Sequence, residues 1–179
     1  MNRLQLEHLI RAAADIADDD ELVVVGSQAI LGQFPEAPPD LLLSMEADLY
    51  PRNRPERSDL VDGSIGEGSP FHETFGYYAQ GVEPGTAVLP PGWEGRLVPV
   101  RNANTRGATG WCLEVHDLVL SKLVAGREKD VRFLRVAAAA GLVQQDVLLA
   151  RLVAMTLDAA VRDRMRQRIA EAWRLPPDA

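Results

Sequence analysis

The stretch LVVVGS at residues 22–27 decides the architecture of this chain. Its first four residues are apolar and three of them are β-branched, which is typical of a short buried strand. Gly26 and Ser27 end this strand, and residues 28–34 are interpreted as a short helix. A glycine lets the backbone approach a phosphate closely, while a helix N-terminus offers free N–H groups. Gly26 and Ser27 are therefore candidate phosphate-binding residues, although a purely structural turn would have the same pattern.

The stretch SMEADLYP at residues 44–51 places two carboxylates two positions apart. Residues 41–50 are interpreted as a second strand. On a strand, Glu46 and Asp48 point from the same face, with Cα atoms about 6.5–7 Å apart. Two such carboxylates repel each other unless a cation or a basic side chain lies between them. Mg²⁺ commonly takes one or two carboxylates, so the pair is a candidate metal site. The alternative is a solvent-facing strand with two surface acids.

Basic residues collect in the stretch SKLVAGREKD at residues 121–130. Lys122 is expected on a helix, and Arg127, Lys129 and Asp130 cluster at the junction with the next helix. Cations at such a junction could neutralise a triphosphate, and Asp130 could cap the second helix or orient a base. A solvated charged junction is the alternative interpretation.

The remaining segments of the chain are predicted to form helices and short strands. Apolar residues at helical spacing predict a first amphipathic helix at residues 4–17. Further strands are predicted at residues 76–82, 86–89 and 96–101. Residues 102–110 are interpreted as a loop, and the pattern beyond them is helical.

This order of elements predicts an α+β (α/β) fold, in which helices flank a mixed β-sheet. We expect an α/β core over residues 1–110 and a helical C-terminal region, packed on that core, over residues 111–179. A chain of 179 residues with 46% hydrophobic residues can bury one good core, and a second large domain is not expected.

Composition and charge narrow the class of protein. No apolar run is long enough to cross a bilayer, and the N-terminus lacks a signal-peptide core. The single cysteine, Cys112, excludes an internal disulfide framework, so a cytoplasmic location without membrane contact is predicted. A net charge of −7 argues against unspecific nucleic-acid binding by the whole surface. Residues 151–174, however, hold six arginines and three acids, and could face RNA, an acidic partner or only solvent.

Taken together, the glycine–serine turn, the acid pair and the basic junction resemble the nucleotidyltransferase superfamily. The likeness covers residues 22–133 and is greatest to minimal bacterial nucleotidyltransferases, with a more distant similarity to the AbiEii-type toxins. The resemblance implies nucleotide binding by Gly26, Ser27, Lys122, Arg127 and Lys129, metal binding by Glu46 and Asp48, and catalysis by Glu46, Asp48, Lys122 and Asp130.

The resemblance also implies a reaction. It is the Mg²⁺-dependent (or Mn²⁺-dependent) transfer of a nucleoside monophosphate from an NTP to an RNA or protein hydroxyl, in a toxin–antitoxin or defence setting with a cognate protein partner. Active members carry a third carboxylate on a later strand. The corresponding region offers Thr86, Val88 and Val98 instead. The sequence therefore leaves open an active enzyme, an inactive nucleotidyltransferase fold with a binding or regulatory role, and a structural α+β protein.

Overall fold

A mixed five-stranded sheet organises residues 1–174, which are the residues that the computed structural model describes. The strands are Glu21–Val24 (β1), Glu46–Pro51 (β2), Tyr78–Gly81 (β3), Val98–Val100 (β4) and Thr109–Cys112 (β5). Their order across the sheet is β3-β2-β1-β5-β4. β1 pairs antiparallel with β2 and parallel with β5, while β3 is parallel to β2 and β4 is antiparallel to β5. The predicted mixed sheet is confirmed.

Helices flank this sheet, as the predicted α+β fold requires. They are Arg3–Ala17 (α1), Ile30–Gln33 (α2), Ser58–Ile65 (α3), Pro70–Phe75 (α4), Val115–Ala125 (α5), Glu128–Ala139 (α6), Gln145–Ala154 (α7) and Ala159–Ala172 (α8). α1 contacts α3 and four of the strands, whereas α5 to α8 pack mainly on one another. Among the helices of residues 1–174, none has the length and apolar character needed to span a membrane.

The first helix shows how local sequence sets an element. Asn2 and Gln5 form a capping box, in which the Gln5 backbone N–H donates to Asn2 Oδ1 at 3.0 Å and the Asn2 N–H donates to Gln5 Oε1 at 2.8 Å. Both bonds satisfy N–H groups that a helix start leaves free. The apolar positions at helical spacing are fully buried: Leu6, Leu9, Ile10, Ala13 and Ala17. The helix predicted at residues 4–17 is confirmed.

Three sequence predictions differ from the structure. The strand expected at residues 86–89 is wrong, because Pro84–Thr86 form a 3-10 turn and the following residues pair with no strand. The loop expected at residues 102–110 ends early, since β5 begins at Thr109 and lies between β1 and β4. The second strand is shorter than predicted, as β2 begins only at Glu46.

The predicted division of the chain at residue 110 falls inside β5, which belongs to the sheet. The helices of the C-terminal region therefore begin after this strand, at Val115. Residues 175–179 of the predicted C-terminal region lie outside the described residues.

Candidate functional site

Gly26 lies directly against the side chain of Asp48. β1 and β2 are neighbours, and the Val25 N–H donates to the Asp48 backbone oxygen at 3.0 Å. A Cβ atom on Gly26 would lie 2.6 Å from Asp48 Cγ and closer still to Oδ2. The backbone of Gly26, with φ −77° and ψ −172°, is extended and open to any residue. Close approach of the carboxylate, and not backbone conformation, therefore requires glycine here.

The two acids of β2 share one polar environment. Glu46 and Asp48 are both half-buried, and their alternation with the fully buried Ala47 places them on the same face of the strand. Burial, followed by the hydrogen bond and charge of Glu46, raises the pKa of Asp48 to about 6, while Lys122 and Lys129 act in the opposite direction. A divalent cation between the two carboxylates would relieve their repulsion.

An open cleft of about 560 Å³ brings this acid pair together with Gly26, Ser27 and the cations of the α5–α6 junction. Lys122, Arg127 and Lys129 all line it. Part of the lining is apolar: Leu41, Leu43, Val88, Val124 and Phe133. The cleft therefore combines positive charge, paired carboxylates and a partly apolar wall, which is the usual composition of a small-molecule site.

Asp130 lies behind these cations and is fully buried. Its carboxylate accepts from Lys122 Nζ at 3.4 Å, from Arg127 Nε at 2.8 Å and from the Arg127 backbone N–H at 3.2 Å. Burial acts to raise the pKa of Asp130, but the hydrogen bond from Arg127 and the charge of Lys122 outweigh it, so the pKa is lowered. Asp130 therefore stabilises the first turn of α6 and holds Lys122 and Arg127 beside the cleft.

Lys122 also lies over the ring of Phe133, with Nζ 4.8 Å from the ring centroid. Only 13% of its side chain is exposed, and burial lowers its pKa. Arg127 differs, because 59% of its side chain is exposed. Lys122 is therefore enclosed, whereas Arg127 is largely exposed at the cleft rim while its guanidinium also bonds Asp130.

The strand beside the acid pair is β3, and it carries no third acid. The register pairs Glu46 with Tyr78 and Asp48 with Gln80. The Tyr78 hydroxyl donates to Glu46 Oε2 at 3.1 Å, and burial together with the Glu46 charge raises the pKa of Tyr78 to about 12. Residues 85–100, where the resemblance places the third acid, do not pair with β2. Across residues 1–174, no three His, Cys, Asp or Glu side chains converge on a metal position.

Three hydroxyl groups that were not predicted as site residues also line the cleft: Ser44, Thr86 and Ser121. Ser44 Oγ accepts from the Glu46 N–H at 3.1 Å, which shapes the entry into β2. Isolated serines and threonines carry no distinguishing pattern, so only the folded structure shows their position.

A second charged cluster fixes the start of α5, the helix that carries Lys122. Asp117 is fully buried and accepts from Arg96 Nε at 2.8 Å and from Arg151 Nη1 at 2.8 Å. Glu114 also accepts from Arg151, and its Oε1 lies 2.6 Å from His116 Nδ1. Burial acts to raise the pKa of Glu114, but the bonds from His116 and Arg151 outweigh it and hold the pKa at about 2. The cluster ties α5 to α7 and to the segment before β4.

The mixed sheet, the glycine–serine turn and the acid pair on the adjacent strand define the chain as a nucleotidyltransferase-like protein. A family model described as "Nucleotidyltransferase of unknown function (DUF6036)" matches residues 4–174. Because this match covers nearly the whole chain, the protein belongs to that family, and its predicted place in the nucleotidyltransferase superfamily is confirmed. The comparisons with curated proteins and with solved structures gave no match. The more distant similarity to AbiEii-type toxins stays a prediction.

Proposed function

We propose that the protein is a Mg²⁺-dependent nucleotidyltransferase that transfers a nucleoside monophosphate from an NTP to a hydroxyl group. The observation that carries this proposal is the convergence of three features on one cleft: the Gly26–Ser27 turn, the acid pair of β2 and the cations Lys122, Arg127 and Lys129. Family membership supports the same reaction class.

The acid pair fits a hard divalent cation. Glu46 and Asp48 offer only oxygen donors from one face of β2, and Mg²⁺ is commonly bound by one or two carboxylates together with substrate phosphates. The close approach of Gly26 keeps any side chain from intruding on Asp48. A bound Mg²⁺ (or Mn²⁺) would supply the chemistry of activating the attacking oxygen and neutralising charge on the phosphates.

The remaining cleft residues bind and orient the nucleotide. Lys122 and Arg127, both held by Asp130, supply positive charge to the triphosphate together with Lys129. Ser27 offers a hydroxyl beside the acid pair. Phosphoryl transfer needs chiefly positioning and charge neutralisation from the protein, and these groups provide both.

The test is transfer of label from α-³²P-labelled NTPs in the presence of Mg²⁺, with the protein itself, total RNA and total protein as acceptors. The variant Glu46→Gln/Asp48→Asn keeps the shape of both side chains but removes their charge, and we expect it to lose transfer. The matched control is Asp15→Asn/Glu36→Gln, which neutralises two exposed acids outside the cleft. Equal transfer by the wild type and the Glu46/Asp48 variant would refute this site.

A second candidate is a catalytically inactive nucleotidyltransferase fold that binds nucleotide and regulates a partner. The specific observation in its favour is β3, which presents Tyr78 and Gln80, and no acid, beside the acid pair; the resemblance implies a third carboxylate on a strand beside that pair. This candidate predicts Mg-NTP binding without release of pyrophosphate for any acceptor. A toxin–antitoxin or defence role with a cognate protein partner is proposed only on the resemblance to AbiEii-type toxins.

A further inference from the structure

The cations of the cleft lie on one side of the acid pair. β2, which carries Glu46 and Asp48, stands between β1 and β3. Gly26 follows β1, and Lys122 lies on α5, which follows β5 on that same side of β2. Because the cations neutralise the triphosphate, the pyrophosphate leaving group belongs on the β1 side. The attacking and leaving oxygens of phosphoryl transfer are roughly in line, so the acceptor must approach from the β3 side.

The β3 side is open to an acceptor. β3 is an edge strand of the sheet. Its Tyr78 bonds the outer acid of the pair, Glu46, and its Gln80 is exposed opposite Asp48. The ring of His72, from α4, packs against Tyr78 in a tilted arrangement, with centroids 4.6 Å apart. Together, these three side chains form a polar surface beside the acid pair.

The surface around Tyr78 and Gln80 is acidic. Residues 58–81, which include α3, α4 and β3, contain four carboxylates and no lysine or arginine. All four are exposed: Asp59, Asp62, Glu67 and Glu73. The affinity of proteins for RNA comes largely from lysine and arginine neutralising phosphates. α3, α4 and β3 themselves carry neither residue, although Arg57 precedes α3 and Arg11 of α1 lies near Tyr77. A positively charged polypeptide would instead be attracted to this acidic surface.

The basic residues of the C-terminal helices lie on the other side of the acid pair. Residues 127–174 contain ten lysines and arginines and six acids. Arg168 of α8 lies against Gly126, the residue that ends α5, with its Cζ 3.4 Å from where a Cβ would stand. An RNA bound along this surface would present its hydroxyl from the side of the leaving group, where in-line attack is not possible.

Two exposed apolar side chains of α3 and α4 are compatible with a protein partner on the β3 side. Leu60 of α3 is 53% exposed and Phe75 of α4 is 47% exposed. Aromatic and aliphatic side chains within a polar rim are typical of protein–protein contacts.

From this arrangement we infer that the acceptor is a serine, threonine or tyrosine hydroxyl in a positively charged polypeptide segment, which docks over β3, α3 and α4. The inference rests on the proposed function. In the transfer, the acceptor oxygen forms a bond to the α-phosphorus, the bond from that phosphorus to the bridging oxygen breaks, pyrophosphate leaves and the hydroxyl proton passes to water.

The experiment compares three acceptors with the full chain, Mg²⁺ and α-³²P-labelled NTPs. They are a lysine-rich peptide with one serine, one threonine and one tyrosine, the same peptide with glutamate in place of lysine, and unfractionated tRNA. We expect label on the lysine-rich peptide, at least about tenfold more than on the glutamate peptide, and none on tRNA. The variant Glu67→Lys/Glu73→Lys should raise KM for the lysine-rich peptide about tenfold, an effect that 0.5 M NaCl removes.

The control variant Glu36→Lys/Glu171→Lys changes the net charge equally but outside β3, α3 and α4, and should leave KM unchanged. Labelled tRNA, equal labelling of the two peptides, or a KM insensitive to Glu67 and Glu73 would overturn the inference. If the protein binds Mg-NTP through Asp48 but labels none of the three acceptors, the inference is refuted while the proposed site stands. If it binds no nucleotide, the proposed function fails as well.

Discussion

Replacing Gly26 by alanine tests whether the turn after β1 and the acid pair of β2 form one site. The new Cβ would lie 2.6 Å from Asp48 Cγ and closer to its carboxylate oxygen. Alanine adopts the extended backbone of Gly26 without strain, so the whole cost must arise from the collision. Asp48 must then rotate away from its position beside Glu46, which would also remove the proposed metal site.

The magnitude follows from the contacts. Forcing an extra methyl group into a packed site costs about 1–3 kcal/mol, and we expect about 2 kcal/mol for Gly26→Ala. In the Asp48→Ala background the carboxylate is gone, and only Asp48 Cβ remains near the new methyl group, at 3.0 Å. Gly26→Ala should then cost less than about 1 kcal/mol, which gives a coupling energy of about 1–2 kcal/mol between the two positions.

The assay is urea denaturation followed by circular dichroism on the wild type, both single variants and the double variant. Gly63→Ala is the matched control, because Gly63 lies within α3 and nothing stands within 4 Å of its added Cβ. That change should stabilise the protein by up to about 1 kcal/mol through helix propensity. A cost of Gly26→Ala that is equal in both backgrounds, or below about 0.5 kcal/mol in the wild type, would refute the reasoning.

Three further predictions concern the residues around the cleft. The pKa of Glu114 is about 2 in the folded protein against an ordinary 4.5. Its carboxylate therefore contributes about 3 kcal/mol to the free energy of unfolding, which is complete above pH 4.5 and is lost as the pH falls towards 2. Glu114→Gln should flatten this part of a curve of unfolding free energy against pH. Asp130→Ala leaves the buried Lys122 ammonium without its partner and should cost about 3–5 kcal/mol in denaturant unfolding, and a cost below about 1 kcal/mol would contradict the assigned ion pair. Tyr78→Phe removes the bond to Glu46 and should lower kcat about tenfold while leaving the unfolding midpoint nearly unchanged; an unaltered kcat would exclude Tyr78 as a positioning residue.

The elements predicted well are those set by local pattern. The helix α1 has a capping box and an apolar face, and β1 is a β-branched run, so each can be read from a few neighbouring residues. The acid pair was found for the same reason, because strand alternation alone places Glu46 and Asp48 on one face. No pattern in the sequence, however, shows that Gly26 accommodates the Asp48 side chain, since this contact joins two strands separated along the chain by α2 and its flanking turns.

The elements missed depend on distant contacts. β5 contains Gly110, a residue disfavoured in strands, yet a Cβ there would lie 2.8 Å from Ile10 Cγ1 and closer to Cδ1, so α1 requires the glycine. Residues 86–89 have strand-like composition but find no pairing partner in the fold. The parallel pairing of β3 with β2 is also non-local, which is why the third acid was sought in residues 85–100 and not beside Tyr78.

The most direct test of the central claim is thermal unfolding with each of the four NTPs, with and without Mg²⁺, on the wild type and on Glu46→Ala/Asp48→Ala. A ligand at about 100 times its Kd stabilises the folded state by about 2.7 kcal/mol, which corresponds to a rise in Tm of about 5–10 °C for a chain of this size. We predict such a rise for at least one NTP, only with Mg²⁺ and only in the wild type. No rise with any nucleotide, or the same rise in the variant, would contradict a nucleotide site built on Glu46 and Asp48.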